Sequence, residues 1–177
     1  YEMVFTVGIH PSGTTLADVA AGKHDAQWRG FATAMKVAGF GSARIRLGSE
    51  FNHTHEPWTA ANGNEAVFAE AWQRVVTVTC QAGAAFRFTW CPLAGIPYSQ
   101  CDPDKAYPGD AYVDAIGLDV YDGRRGVADF NLRWQRTLAQ PYGLDWLAAF
   151  TKAHDKPAAF DEWALRFSTT TDHTNDS

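Results

Sequence analysis

Two glutamates stand in matching settings. Glu50 follows the run Arg44-Ile45-Arg46-Leu47-Gly48-Ser49, and Glu162 follows Pro157-Ala158-Ala159-Phe160-Asp161. An aromatic residue comes next in both cases, Phe51 and Trp163. Each run reads as a short buried strand with the carboxylate at its C-terminal tip, which is where a β/α barrel keeps its chemistry. Two such carboxylates on different strands of one sheet are the minimal equipment for splitting a glycosidic bond. One protonates the leaving oxygen while the other attacks the anomeric carbon or activates a water. A gap of about 5 Å selects direct attack with retention, and a wider gap admits water and inverts.

A second group of polar residues, His53, His55 and Glu56, has the composition of a metal site, with Asp119 and Asp122 as possible distant ligands. Such a site needs a further ligand and a rigid set of supporting hydrogen bonds. A surface loop that carries two histidines is the simpler reading, so neither a metal nor another cofactor is expected. Asp119 lies inside an apolar run and is open to two readings, a third acid or a buried carboxylate with structural partners.

The elements that must hold these residues alternate. Strand patterns fall at Val4–His10, Ala43–Leu47, Ala85–Trp90, Val113–Tyr121 and Pro157–Trp163. Helical spacing of apolar residues covers Asp25–Ala38, stopped by Gly39, and Asn64–Ala82, stopped by Gly83. Leu144–His154 is a third helix, with Leu144, Leu147, Ala148 and Phe150 facing inward, and Asn131–Leu138 is polar and only weakly helical. Pro92–Asp110 reads as a long loop and the residues from Ser168 as a frayed tail. Apolar strands buried on both faces and separated by helices form a parallel α/β sheet. Five strands do not close a barrel of eight, which usually takes about 250 residues. The chain is therefore either an open doubly wound sheet or an interior piece of a barrel.

Composition narrows the partners. The 177 residues are 46% hydrophobic and 20% charged, an ordinary globular balance, and the formal charge is -5. Scattered Lys and Arg on an acidic chain argue against a nucleic-acid partner. No apolar run is long enough to span a membrane. The sequence opens on a strand pattern, without a signal peptide, and secretion would depend on a leader outside it. The seven Trp suit either cores or sugar-stacking platforms. Of these, Trp28, Trp72, Trp134 and Trp146 fall on helices and are expected to pack there. Cys91 and Cys101 bracket a loop and could close one disulfide, with Cys80 buried in a helix; free thiols are the alternative.

The run Ile45 to Asn52, followed by Trp58, resembles the acid/base segment of glycoside hydrolase family 26, the β-mannanase family in the retaining clan of (β/α)8 glycosidases. Tyr107 to Asp122 resembles its sixth-strand segment, and Gly143-Leu144-Asp145-Trp146 with Lys156 to Trp163 resembles the approach to its nucleophile. The resemblance implies an incomplete TIM barrel, about strands three to seven, over residues 1–167, with 168–177 a tail. It implies a secreted retaining hydrolase of a β-linked polysaccharide, mannan foremost, with Glu50 as acid/base and Glu162 as nucleophile. It also places Arg46, Asn52, Trp58, Trp90, Tyr121 and Trp163 around the substrate. Arg46 would hydrogen-bond a carboxylate, and Tyr121 would orient Glu162. The chain departs from the family pattern at Ser49, where the clan often has Asn or His, and across His53–Trp58. Strands one, two and eight are missing, so five strands alone would expose two sheet edges, and an inactive or poorly soluble piece is expected unless strands come from elsewhere. A binding relative without turnover and a metal-dependent hydrolase built on His53, His55 and Glu56 are the competing readings.

Overall fold

The computed structural model describes residues 3–96, 100–123 and 129–166; the expected frayed tail lies outside these. The elements are β1 (Val4–Val7), α1 (Leu16–Ala20), α2 (Asp25–Val37), β2 (Arg44–Leu47), α3 (Glu65–Gln81), β3 (Arg87–Trp90), α4 (Pro103–Ala106), β4 (Ala115–Gly123), α5 (Phe130–Ala139), α6 (Leu144–His154) and β5 (Ala158–Arg166). One 3-10 turn, Asp110–Tyr112, leads into β4. All five strands are parallel and lie in chain order, β1-β2-β3-β4-β5, with helical crossovers between them.

The sheet is curled. Strands in a sheet are spaced about 4.8 Å apart, so on a flat sheet β2 and β5 would lie about 14 Å from each other with their side chains standing parallel. Yet Arg46 on β2 reaches Glu162 on β5 at 2.6 Å. Only a concave inner face brings the two together, which makes the molecule an incomplete (β/α)8 barrel and rules out the open doubly wound sheet.

Between the convex face and the helices lies the apolar core. Ile45, Leu47, Phe88, Ile116, Leu118 and Val120 of the sheet are all buried in it. The helical stripe read on α3 faces them through Phe68, Ala71, Trp72, Val75 and Val78. Trp72 is fully buried, and its indole Nε1 donates to the Tyr112 carbonyl at 3.0 Å, so its one polar atom is satisfied. A second aromatic group, Trp90, Tyr107, Trp146 and Phe150, joins β3 to α6, with Trp90 stacked on Phe150 at 5.6 Å between ring centroids.

Several expectations change. α1 lies in a stretch to which the sequence reading assigned no element, although Thr15 and Asp18 cap each other reciprocally, a signal present in the sequence. α5 is a full helix whose polarity fits its exposed position, and Asp129 caps it through Leu132 N. α4 and the 3-10 turn break up the long loop. Ala148 is exposed rather than inward-facing. Cys80 is exposed, whereas Cys91 and Cys101 are buried and free, so the expected disulfide is not formed. Burial pushes the Cys101 thiol up to about 12, with nearby Glu65 and Asp102 adding to it.

Trp72→Ala should remove about 3–5 kcal/mol of stability through the cavity it leaves. A denaturant midpoint that is unchanged would show the packing of α3 on the sheet to be less tight than described.

Candidate active site

β2 ends at Leu47, and the chain then turns rather than running straight to Glu50. Gly48 has φ +52°, and a Cβ there would come 3.3 Å from both Ile9 and Phe68, so a glycine is required on both counts. Glu50 also lies in the left-handed region, at φ +53°. A non-glycine residue held there costs on the order of 1–3 kcal/mol, and such strain gathers where a side chain must be aimed. Two backbone bonds fix it, Glu50 N to Cys91 O at 2.9 Å and His53 N to Glu50 O at 2.8 Å. The next residue, Phe51, is fully buried against Phe68 and Trp90 and anchors the turn in the core.

Glu162 is not at a strand tip, because β5 continues to Arg166. It faces the concave side as the Cα partner of Asp119 on β4. Arg46, only 4% exposed, donates through Nη1 to Glu162 and through Nη2 to Asp119. Tyr121 Oη donates to the other oxygen of Glu162. These bonds favour the ionised carboxylate, so Glu162 titrates below the usual glutamate value, held down by Tyr121 first and then by Arg46 against a partial burial that opposes them. The Tyr121 hydroxyl moves the other way, pushed up by burial and by its bond to Glu162. It therefore stays a donor near neutrality.

Glu50, Asp119 and Glu162 each bring a carboxylate oxygen within 4.8 Å of the others. Asp119 is fully buried, with one oxygen taken by Arg46 and the other accepting from Cys91 Sγ at 3.3 Å. It is a structural carboxylate, the second of the two readings. Three carboxylates this close could in principle share a cation. Here the Arg46 guanidinium supplies positive charge to two of them, Asp119 and Glu162.

The other expected site residues divide. Trp58 is half-buried beside the Glu50 turn, its ring packed over Gly8 and its Nε1 donating to Ser49 O at 2.8 Å. Asn52 does not face a substrate: it is fully buried, and its amide closes both bonds onto the Leu93 backbone, at 2.9 and 2.8 Å. Trp90 offers no platform, because its ring is wholly enclosed in the core. Trp163 is 53% exposed but turns to the convex side with its Cα partner Val120, beside Trp134 and Phe160. Arg46 lies beneath the carboxylates and is committed to them. Among the described residues, His53, His55 and Glu56 form no close ligand group. The two rings lie 4.8 Å apart, and Asp122 instead pairs with Arg133 at 3.2 Å. Asp161, which the sequence reading did not single out, and Cys91, read there only as a disulfide candidate, lie beside Asp119 and Gly117 under the site. A sharper use of strand alternation on Ala159–Trp163 would have drawn attention to Asp161.

Fold and site together define a partial (β/α)8 barrel with paired carboxylates at the C-terminal side of its sheet. The fold is similar to solved structures: a modular endo-β-1,4-mannanase from Cellulomonas fimi, described among glycoside hydrolase family 26 mannanases, superposes with a TM-score of 0.64 at 23% identity over 92% of this chain and 40% of that one. A family 26 β-mannanase from Bacteroides ovatus gives 0.61 at 18% identity over 87% of this chain and 46% of that one. The catalytic domain of a family 26 endo-β-1,4-mannanase from Bacillus sp. JAMB-750 gives 0.56 at 20% identity, over 84% and 41%. The chain thus spans less than half the length of each. No protein-family model matches the sequence, and no curated protein does either. No helix among the described residues is long and apolar enough to cross a membrane.

Replacing Asn52 with Ala should leave the Leu93 N–H and C=O without their partners and cost about 1–3 kcal/mol. Thermal denaturation checks this; a loss within a few tenths of a kcal/mol would mean that the clasp is not closed in solution.

Proposed function

We propose that this chain carries the catalytic pair of a retaining glycoside hydrolase that cleaves a β-linked polysaccharide of the mannan type. The single observation that supports it best is the pairing of Glu50 and Glu162 carboxylate oxygens within 4.8 Å of each other. That closeness favours the short carboxyl separation of about 5–5.5 Å used for double displacement over the roughly 6.5–9.5 Å that an inverting pair keeps for its attacking water. Similarity of fold to family 26 mannanases supports the substrate class.

The reaction gives the two carboxylates different roles. Glu162, kept ionised by Tyr121 and Arg46, attacks the anomeric carbon and forms a glycosyl–enzyme ester. Glu50 gives its proton to the departing glycosidic oxygen, then takes one from the water that opens the ester. Trp58, beside the Glu50 turn, presents an aromatic face of the kind on which a pyranose stacks. Action on an extracellular polymer fits secretion of the protein.

Reducing-sugar release from β-mannans, xylans and β-glucans tests the reading. Release is expected on mannan and should be lost in both Glu50→Ala and Glu162→Ala; hydrolysis that survives Glu162→Ala would overturn it. A second expectation concerns pH. A carboxylate whose folded pKa is lowered keeps its stabilising contacts above its unfolded pKa and loses them as pH falls through the folded value. Tyr121→Phe removes the largest contribution to that lowering, so the acidic limb of kcat/KM should move to higher pH. A limb that stays in place would separate Tyr121 from the ionisation of Glu162.

A further inference from the structure

In a regular strand alternate residues face the same side, and a slip of one residue reverses them all. On β4, Gly117, Asp119 and Tyr121 line the concave face, while Ile116, Leu118 and Val120 are buried on the convex one. Ala159 of β5 pairs with Gly117. Strict alternation from Ala159 would turn Asp161 and Trp163 inward and Glu162 outward, into the helix layer. The observed register differs: Gly117 pairs with Ala159, but Asp119 pairs with Glu162, so two residues of β5 stand against the single Leu118. This is a β-bulge, and it is what turns Glu162 to the concave side.

Asp161 is the extra residue, and it keeps its inward direction. A Cβ placed on Gly117 would fall 2.2 Å from Asp161 Oδ2 and 3.0 Å from Cys91 Sγ, so the carboxylate occupies the space that any other residue at 117 would fill. Oδ2 is buried there and has no hydrogen-bond partner among the described residues. Cys91, the flanking group, donates to Asp119 Oδ1 at 3.3 Å and also interacts with the Asp161 carboxylate. A buried carboxylate oxygen with no well-formed hydrogen bond is costly and calls for a reason.

We propose that Asp161 is a positioning residue: seated in the niche left by Gly117, its carboxylate locks β5 in the bulged register that presents Glu162 to Arg46 and Tyr121. This rests on the reading of Glu162 as the nucleophile, but the bulge can be tested without it. Side-chain volume in the niche is what acts, so Asp161→Asn preserves the register and Asp161→Ala or Asp161→Ser lets β5 relax toward plain alternation. Gly117→Ala reaches the same end from the opposite strand, because its methyl group displaces the Asp161 carboxylate.

Carbon-13 NMR of protein labelled at glutamate Cδ, with Glu162 assigned from Glu162→Gln, reads the outcome. In Asp161→Ala, Asp161→Ser and Gly117→Ala the Glu162 midpoint should rise, and in Asp161→Asn it should stay at the wild-type value. Activity per folded molecule should fall by about 10²-fold in kcat, the scale expected for a misplacement of about 1 Å, with KM little changed. A Glu162 midpoint and kcat that remain wild-type in whichever of the relaxing variants fold would overturn the proposal, as would a midpoint that moves equally in Asp161→Asn. The same titration succeeds or fails whether or not the protein hydrolyses polysaccharide. Failure of the nucleophile assignment would show separately, as activity retained in Glu162→Ala.

Discussion

One buried guanidinium organises the site. Arg46 rises from β2 into the concavity and holds Asp119 of β4 and Glu162 of β5 at once. A buried cation of this kind is tolerable only with anionic partners in good geometry, and removing one partner would leave an uncompensated charge. The same contact ties strands that are not neighbours in the sheet, which the curl of the sheet permits, and it adds to Tyr121 in keeping Glu162 ionised. Arg46 and Tyr121 both donate to Glu162, and the guanidinium's second donor goes to Asp119.

Two backbone irregularities aim the pair. On β2 the left-handed residues Gly48 and Glu50 bend the chain and bring the acid round to the sheet's open end. On β5 a single inserted residue reverses the alternation and brings Glu162 inward. Neither device is stable alone. Phe51 in the core and the Asn52 clasp on Leu93 hold the first, and Asp161 in the niche of Gly117 fills the space behind the second. Asn52 and Trp90, which look like substrate contacts in the sequence, thus serve the scaffold beside Glu50 and Glu162.

Much of this was legible in the sequence, and what was not has physical causes. The strand and helix periodicities named the five strands, the long α3 and α6, and the two glutamates, because burial of one face dictates those patterns. Tyr121 and Arg46 stood in positions to meet Glu162, and the structure brings all three into contact. Asn52 and Trp90 were misread because an amide or an indole next to a catalytic strand looks the same in sequence whether it meets a sugar or Leu93 and Phe150. Trp163 was misread because its face depends on a bulge, and a bulge arises from the fit of Asp161 against a glycine on the next strand, which no local pattern reveals. Whether Cys91 and Cys101 joined was equally beyond local reading, since spacing along a loop says nothing of where the sulfurs point.

The central claim is that Glu50 and Glu162 act as one pair close enough for direct attack on the anomeric carbon. Proton NMR of the first reducing ends released from β-mannan tests it most directly, read before the anomers equilibrate. The account predicts β-configured ends, the signature of retention through a covalent intermediate. Ends that first appear in the α configuration would mean that water, not Glu162, makes the attack, and would contradict it.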